Sequence, residues 1–358
     1  MDRDEILGWL REDDEQRLEQ LWARADDARR RHVGDAVHLR GLVEFSNHCA
    51  RQCLYCGLRA GNRRLRRYRM ALPEIVECAQ QAVQFGYGTV VLQSGEDWGA
   101  RTEWVAELVR RLKAETPLAV TLSLGERDPE EFACWREAGA DRYLLRFEAS
   151  NRQLYDRLHP VRAGHRSDRI AILRHLRELG FEAGGGAMVG LPGQTYADLA
   201  ADLELCRELD LDMIGLGPFI AHPDTPLGAA PDELAAPSGE QVPNTELLTY
   251  KAVALARLVC PEANIPSTTA LATLNRAQGR ELGLQRGANI VMPNLTPPQY
   301  RAQYEIYPAK ACVSETAAEC HRCLTARLRA LGRPVGVGPG EAPRHRARRE
   351  SAQPLGVP

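Results

Sequence analysis

Short apolar runs alternate along the chain with longer amphipathic stretches whose apolar positions recur every three or four residues. Short β-rich runs are typical of strands, and the longer repeat is typical of helices. The predicted strands span residues 38–45, 88–93, 119–124, 141–148, 183–189, 212–217, 264–269 and 288–293. The predicted helices lie near residues 73–85, 102–114, 129–138, 167–179, 195–209, 244–259 and 279–285.

Eight strands with a helix in almost every gap predict an α/β protein built on a parallel sheet. Eight such units favour closure into a complete (β/α)8 TIM-type barrel, here over residues 37–300. An open doubly wound sheet is the competing arrangement. However, no GxGxxG follows the first predicted strand, where a dinucleotide site would need it, and no GxxxxGKS or GxxxxGKT occurs.

Three further segments flank this predicted barrel. Residues 1–36 contain polar amphipathic helices without any chemical motif, and we expect them to form an N-terminal helical cap. Residues 301–333 carry three cysteines and are predicted to form a C-terminal extension. Residues 334–358 are rich in arginine, which is typical of a solvated, disordered tail.

Composition limits the classes of function. The 358 residues are 44% hydrophobic and 26% charged with a formal net charge of −2, so the overall balance indicates neither nucleic acid nor an acidic membrane as a partner. No apolar run approaches the roughly 20 residues of a membrane span. The first residues are too acidic and too interrupted for a signal peptide. We therefore expect a cytoplasmic location.

Clustered cysteines in a reducing compartment indicate metal binding more often than disulfides. Cys49, Cys53 and Cys56 have the spacing C-x3-C-x2-C and follow the first predicted strand, at the end where barrels place their active sites. Three thiolates are one short of the set that saturates a tetrahedral zinc or a cubane cluster, so one corner is open for chemistry. A zinc site completed by His48, or simple buried thiols, are the alternatives.

Two other predicted strand ends carry unusual polar residues. After the second strand come Ser94, Gly95 and Glu96, where glycine permits close backbone approach and the carboxylate can accept from an ammonium group. On the fourth strand, Arg146 and Glu148 would point into the barrel, where charges are costly unless they are paired or meet a charged ligand. A structural ion pair is the alternative to a ligand contact.

The C-x3-C-x2-C motif, with Tyr55 directly before its last cysteine, resembles that of the radical S-adenosylmethionine (SAM) superfamily. This resemblance implies a 4Fe-4S cluster on three cysteines, with SAM on the fourth iron. It also implies reductive cleavage of SAM to a 5′-deoxyadenosyl radical. Carried onto this sequence, the SAM-contacting positions are Tyr55, Ser94, Gly95, Glu96, Arg146, Glu148 and Arg169.

Longer stretches, among them EFSNHCARQCLYCGLR, VVLQSGED, MVGLPGQT, GLGPFIAHPDTPL and NIPSTTA, resemble the HydE family of FeFe-hydrogenase maturases. That resemblance covers roughly residues 20–332 and implies an enzyme that acts on an iron–cysteine organometallic precursor. It also implies partner maturases and an electron donor such as flavodoxin or ferredoxin. Residues near the late strands would line a cavity for a small, carboxylate-bearing substrate: Thr268, Thr269, Met292, Tyr300, Arg301 and Tyr304.

Cys312, Cys320 and Cys323, spaced C-x7-C-x2-C, follow the eighth predicted strand. We expect them to hold a second iron–sulfur cluster, 4Fe-4S or 2Fe-2S, near the surface and outside the barrel mouth. His321 or an outside ligand would complete it. A zinc site and vestigial thiols are the alternatives.

The sequence departs from the HydE pattern at Phe147 and Ala149, where a His and a Thr usually stand. The loop 159–166 is longer and more basic than in that family, which puts the placement of Arg169 in doubt. Two other functions therefore stay open. One is a radical SAM enzyme of the methylornithine synthase type, a family related to biotin synthase, and the other is a non-catalytic iron–sulfur carrier.

Overall fold

The computed structural model describes residues 1–161, 166–230, 234–237 and 239–352. Its strands are β1 His38–Ser46, β2 Thr89–Ser94, β3 Ala119–Ser123, β4 Arg142–Leu144, β5 Glu182–Gly185, β6 Met188–Val189, β7 Met213–Ile214, β8 Gly217–Pro218 and β9 Ile290–Val291. Its helices are α1 Arg3–Arg11, α2 Glu15–Val33, α3 Leu72–Gln84, α4 Thr102–Glu115, α5 Pro129–Glu137, α6 Arg152–Leu158, α7 Arg169–Glu178, α8 Tyr196–Glu208, α9 Pro226–Ala229, α10 Glu246–Val259, α11 Thr269–Leu274, α12 Gly279–Gln285, α13 Pro298–Arg301, α14 Ala317–Ala330 and α15 Pro343–Ala352.

Seven strands form one curled parallel sheet in the order β7-β5-β4-β3-β2-β1-β9. Strand β1 pairs in register with β2, for example Arg40 with Thr89, and its start pairs with β9. Strands β6 and β8 form a separate parallel pair beyond the ends of β5 and β7. The predicted strand 264–269 is present only as isolated bridges, from Asn264 to Met213 and from Pro266 to Ile290.

Alternation along β1 explains the two faces of this sheet. Val43 and Phe45 are fully buried in the hydrophobic core. Arg40, Leu42 and Glu44, at the alternate positions, line a cavity on the concave face. Side chains of a strand point to opposite faces with a period of two, so one face builds the core while the other builds the cavity.

The fourth and fifth predicted strands end earlier than their sequence pattern indicates. Strand β4 stops at Leu144, and Glu148 adopts a left-handed backbone with φ of 67°. Strand β5 stops at Gly185 because Gly186 has φ of 131° and packs against the Gly215 carbonyl, where a side chain would not fit. The chain therefore turns at the carboxyl end of the sheet, next to the cavity.

The N-terminal helices α1 and α2 pack against α8 and α10. Each begins with an aspartate, Asp2 or Asp14, whose side chain accepts a hydrogen bond from a backbone N–H of the first turn. No described helix is long and apolar enough to cross a membrane.

The segment 334–352, expected to be a solvated and disordered tail, is ordered instead. Val335 bridges to Val37, and Arg348 donates to both carboxylate oxygens of Asp212 at 2.5 and 2.6 Å. Arg344 pairs with Asp210. These arginines, whose number led to the expectation of disorder, form ion pairs with buried or half-buried aspartates near the amino-terminal end of the sheet. Composition alone does not reveal such pairs. Residues 353–358 lie outside the described part of the chain.

This segment also covers the amino-terminal end of the sheet, where a buried charge network lies. The Glu182 carboxylate pairs with Arg142 and accepts from the backbone N–H of Ala342. The Pro339 carbonyl accepts from Arg142 at 3.0 Å, and the Gly340 carbonyl accepts from Arg40 at 2.9 Å. Each buried charge is therefore paired or hydrogen-bonded, as the cost of burial requires.

Loss of the Glu182 charge would leave Arg40 and Arg142 without a carboxylate partner. For Glu182→Gln we expect the free energy of unfolding in urea to fall by about 3 kcal/mol or more. The matched control is Glu115→Gln, whose exposed i,i+4 pair with Arg111 contributes about 0.5 kcal/mol. Equal losses in the two variants would show that the network does not stabilise the fold.

The same carboxylate predicts a pH dependence. Burial raises the pKa of Glu182, but the guanidinium groups of Arg142 and Arg40 outweigh it, and the pKa lies below its usual value. Its stabilising contribution is therefore complete above the unfolded pKa of about 4.3 and is lost as pH falls through the folded pKa. As pH is lowered from the unfolded pKa through the folded pKa, the free energy of unfolding should fall less in Glu182→Gln than in the unmodified protein.

Candidate active site

A cavity of about 370 Å³ lies inside the curled sheet and joins the first cysteine set to the late strands. It is lined by Cys49, Cys53 and Cys56 at one end and by Arg40, Thr121 and Asn264 at the other. The structure thus brings together residues from the loops after most strands, at the carboxyl end where parallel α/β folds place their active sites.

The cysteine loop follows β1 and is fixed by backbone hydrogen bonds to its neighbours. The Ala50 N–H donates to the Glu96 carbonyl at 2.9 Å, and the Leu54 N–H donates to the Leu158 carbonyl at 2.9 Å. Gly95 has no room for a side chain, because a Cβ there would lie 2.3 Å from the His48 carbonyl and 2.7 Å from Cys49 Cβ. Glycine at this position lets the second-strand loop pack directly onto the cysteine loop.

Burial affects all three thiols of the cysteine loop. Burial raises the pKa of Cys49 and of Cys56, and it raises the pKa of Cys53 to about 12. Among the described residues, no three His, Cys, Asp or Glu side chains converge as a single metal ion requires. Soft thiolates on separate irons are the ligand set of an iron–sulfur cluster, and this loop provides three.

Glu96 presents an unsatisfied carboxylate oxygen to the cavity. Its Oε2 accepts from the Glu126 backbone N–H at 3.1 Å. Its Oε1 is buried and accepts no hydrogen bond from any described residue, although Arg51 lies 4.0 Å away. Burial raises the pKa of Glu96. A buried acceptor without a donor is suited to a ligand ammonium group, as the SAM amino group would supply. Ser94 lines the cavity beside it.

Glu126, which the sequence analysis assigned no role, holds two arginines in the cavity wall. Its carboxylate accepts from Arg169 Nε at 2.8 Å and from Ser167 Oγ at 2.6 Å, and it lies 3.4 Å from Arg51 Nη2. Burial raises its pKa, but Arg169 and Arg51 outweigh that effect and lower the pKa to about 2. A Gly-Glu pair follows each of two neighbouring strands, Gly95-Glu96 after β2 and Gly125-Glu126 after β3. This repeated pair is the sequence signal that could have identified Glu126.

Arg169 reaches the cavity, so the doubt raised by the loop 159–166 does not apply to its position. It is the first residue of α7, and its Nη1 donates to the Arg146 carbonyl at 2.8 Å. Residues 162–165 of that loop lie outside the described residues. Arg51 lines the same wall and was also missed, although it lies between Cys49 and Cys53 in the sequence.

Arg146 and Glu148 both line the cavity and form an ion pair, with 2.7 Å between Arg146 Nη2 and Glu148 Oε2. Tyr55 lies next to them and hydrogen-bonds His159. Because His159 Nδ1 contacts the Tyr155 carbonyl, that nitrogen carries the proton, and Tyr55 donates to Nε2 at 2.8 Å. Burial lowers the pKa of His159 to about 3, so the ring is neutral.

The expected cavity residues of the late strands divide into two groups. Thr268, Thr269, Met292 and Tyr304 line the cavity as predicted. Tyr300 and Arg301 do not. Tyr300 stacks on Tyr68 and donates to Glu74 at 2.9 Å, whereas Arg301 is fully buried and donates to backbone carbonyls, among them that of Cys312 at 2.9 Å. Arg301 therefore supports the C-terminal cysteine segment.

Two cavity residues beyond the predicted set form a buried ion pair. Lys310 Nζ lies 2.8 and 3.0 Å from the carboxylate oxygens of Glu44, and it also donates to the Tyr304 carbonyl at 3.0 Å. Six of the described lining residues are basic and three are acidic, but two further carboxylates, Glu126 and Glu182, pair with three of the six cations, so little positive charge is left uncompensated. Glu44 was the available signal, because it occupies an inward position of β1.

The second cysteine set lies closer to this cavity than the sequence analysis expected. Cys312 lines the cavity with a left-handed backbone, φ 60°, and Arg280 Nη1 and Nη2 lie 3.7 Å from its Sγ. A hydrogen bond with Cys320 and the Arg280 guanidinium lower the pKa of Cys312. Cys320 is buried on α14, and Cys323, one turn later, is exposed.

His321 is directed away from these thiols. Its ring stacks on Phe85 at 4.6 Å, and its Nδ1 hydrogen-bonds Tyr87 at 3.0 Å. Residues one position apart on a helix do not share a face. The structure therefore gives His321 aromatic partners in place of the ligand role considered for it.

Comparison with known proteins places this site in a family. Residues 43–206 match the Radical SAM superfamily model. The chain is 48% identical over 318 residues to the FeFe hydrogenase maturase subunit HydE of Thermotoga maritima, covering 89% of this chain and 87% of that protein. It is also 28% identical to a 3-methylornithine synthase of Methanosarcina acetivorans, over 80% of this chain and 78% of that one.

Solved structures show the same fold. Methylornithine synthase (PylB) superposes with a TM-score of 0.78 at 24% identity, covering 98% of this chain and 96% of its own. The maturase HydG of Carboxydothermus hydrogenoformans gives a TM-score of 0.71 at 18% identity, covering 91% and 75%. The identity to the maturase over most of both chains, on a cavity that carries the three-cysteine loop, establishes that this protein is a radical SAM enzyme and belongs to the HydE family.

Proposed function

We propose that this enzyme carries out the HydE-type step in assembly of the diiron part of the FeFe-hydrogenase active centre. The observation that supports this most directly is the cavity that joins the three-cysteine loop to an interior lined by charged and hydroxyl-bearing side chains. The substrate would be a small iron–cysteine organometallic species, supplied and taken onward by partner maturases.

The family implies a 4Fe-4S cluster and SAM, and Cys49, Cys53 and Cys56 are the residues that would hold the cluster. When bound, these groups supply the 5′-deoxyadenosyl radical by one-electron cleavage of SAM. The role of the protein is to bind, orient and shield. The thiols must lose their protons to bind iron; Cys53 is buried, and Cys49 and Cys56 are half-buried, so the loop limits the access of water to the reacting centre.

Five side chains would orient SAM. Glu96 would accept from its amino group through the free Oε1, and Arg169 would meet its carboxylate. Glu148, with Arg146, would contact the sugar and sulfonium region. Tyr55 would pack at the adenosyl end of the cysteine loop. These roles rest on the residues' positions in the cavity wall and on the charges they present there.

The remaining cavity would hold the substrate. Thr268 and Thr269 provide hydroxyl groups, Met292 a soft apolar surface, and Tyr304 a phenol that accepts from Gln93 Nε2 at 3.2 Å. A substrate with a carboxylate would find nearby cations in Arg280 and Lys310. The chemical variety of this wall is suited to a charged, compact ligand.

A complete (β/α)8 barrel is part of this proposal. The segment 264–267 is bonded on both sides, because the Ile214 N–H donates to the Asn264 carbonyl at 3.0 Å and the Ser267 N–H donates to the Ile290 carbonyl at 2.9 Å. We infer that this segment acts as the eighth strand between β7 and β9. A closed wall would keep the radical and the substrate from solvent.

Cys312, Cys320 and Cys323 would hold a second iron–sulfur cluster at the edge of the same cavity. Arg280 and Arg327, which lie beside Cys312 and Cys323, would offset the negative charge of the thiolates. The contact of Cys312 with the cavity supports a role connected with the substrate or with electron supply.

The proposed function is tested by anaerobic SAM cleavage and by maturation of an apo-hydrogenase with this protein as the sole HydE source. The reconstituted protein should form 5′-deoxyadenosine with dithionite and should restore hydrogenase activity. Cys53→Ala should abolish both, whereas Cys134→Ala, a half-buried thiol outside both sets, should retain both. SAM cleavage without maturation would contradict the maturase role and favour a mutase of the methylornithine synthase type.

The contacts of the Glu126 carboxylate predict that SAM binding can be weakened without replacing any cysteine. Glu126→Gln should raise the dissociation constant of SAM about tenfold or more, because Arg169 and Arg51 lose the anion that positions them. Equilibrium dialysis with labelled SAM on the reconstituted protein measures it. Glu107→Gln, an exposed carboxylate on α4, is the control and should not change the dissociation constant.

The second cluster is tested by Cys320→Ala. The variant should lose the iron of the second cluster and the electron paramagnetic resonance signal of that cluster in the reduced state. SAM cleavage with dithionite should continue through the first cluster. An unchanged iron content would refute the second cluster, and the loss of SAM cleavage would show that the two cysteine sets do not act separately.

A further inference from the structure

The segment between the cysteine loop and α3 has a concentration of positive charge that the cavity does not use. Residues 59–69, here called the arginine segment, contain no acidic residue and six arginines: Arg59, Arg63, Arg64, Arg66, Arg67 and Arg69. The chain as a whole has a net charge of −2, so this concentration is local.

Two of the six arginines fix the segment onto the active site. Arg67 Nη1 donates to the Asn47 carbonyl at 2.5 Å and to the Leu58 carbonyl at 2.8 Å, so it ties together the two ends of the cysteine loop. Arg69 pairs with Asp97 of the second-strand loop, with Nε 2.8 Å from Oδ2. The arginine segment is therefore held directly against the cysteine loop.

The side chains of Arg63 and Arg66 have no such task. Both are exposed, and neither forms an ion pair or hydrogen bond with any residue that the structure describes. Arg64 has 83% of its side chain exposed and meets only the Asp224 carboxylate, at 2.6 Å. Neighbouring like charges without partners stabilise nothing in the fold, whereas they produce a field that attracts an anionic surface.

Among anionic macromolecules, the surface is best suited to a small protein that carries electrons. Single-stranded nucleic-acid sites add exposed aromatic rings on which bases stack, and the one aromatic residue of the segment, Tyr68, is buried. Electron-transfer complexes instead have small interfaces and depend on charge complementarity for fast, transient association. Because Arg67 holds this segment against the cysteine loop, a carrier docked here would lie close to the thiols that would bind the cluster.

We propose that Arg63, Arg64 and Arg66 form the docking surface for a small, acidic one-electron carrier protein that reduces the cluster. This inference rests on the proposed function for its purpose. At the interface the carrier loses one electron and the cluster gains it, and no bond is made or broken.

The test uses the full chain with its cluster and a reduced acidic flavodoxin as the probe. In the Arg63→Glu/Arg66→Glu double variant, the dissociation constant of flavodoxin at low salt should rise about tenfold or more and its dependence on salt should weaken. SAM cleavage supported by flavodoxin should fall accordingly, while cleavage supported by dithionite should not change. Isothermal titration with oxidised flavodoxin measures the binding without turnover.

The matched control is Arg174→Glu/Arg329→Glu, which makes the same charge change at exposed arginines of α7 and α14. An equal weakening in this control, or unchanged flavodoxin binding in the Arg63/Arg66 variant, would overturn the proposal. The proposal would also be overturned if the Arg63/Arg66 variant lost binding to nucleic acid and kept its binding to flavodoxin. If dithionite supports no SAM cleavage in the unmodified protein, the proposed function fails, and titration still decides the docking surface. If the double variant does not fold, Arg63→Gln/Arg66→Gln provides the same comparison.

Discussion

The loops at the cavity mouth share one buried carboxylate, that of Glu126. It meets Arg51 of the cysteine loop and Arg169 at the start of α7, and its backbone N–H binds Glu96 of the second-strand loop. A buried carboxylate is costly unless cations and donors surround it, and here they come from different parts of the chain. The compensation of one charge therefore fixes the relative positions of three loops.

The amino-terminal end of the sheet also buries charged side chains, but there they stabilise the fold and do not line the catalytic end of the cavity. There Glu182 lies among Arg40, Arg142 and the chain after Pro334, and backbone carbonyls satisfy the guanidinium groups. In α/β folds with such a curled parallel sheet, the amino-terminal end of the strands serves stability and the carboxyl end serves chemistry. This protein follows that division, and residues 334–352 cover the amino-terminal end of the sheet.

Residues that sequence analysis predicted correctly and residues it missed differ in where their partners lie. The cysteine loop and the polar residues after β2 are short local patterns, and each was placed in the cavity wall. Tyr300 and Arg301 are polar residues near a strand end, as the cavity residues are. Their partners, Glu74 and several backbone carbonyls, lie away from the cavity. Composition near a strand end does not show which way a side chain turns once helices and loops compete for it.

Sequence alone determined the alternation of strands and helices and the three-cysteine loop, and its resemblance to known motifs indicated the family. The alternation and the cysteine loop depend on periodicity and spacing, which the local backbone imposes. Only the tertiary structure decided that Glu126 organises the arginines, that Cys312 reaches the cavity and that the tail is ordered. Each of these depends on charges or thiols from distant segments meeting in a buried space, where pairing energies become large and sequence separation has no meaning.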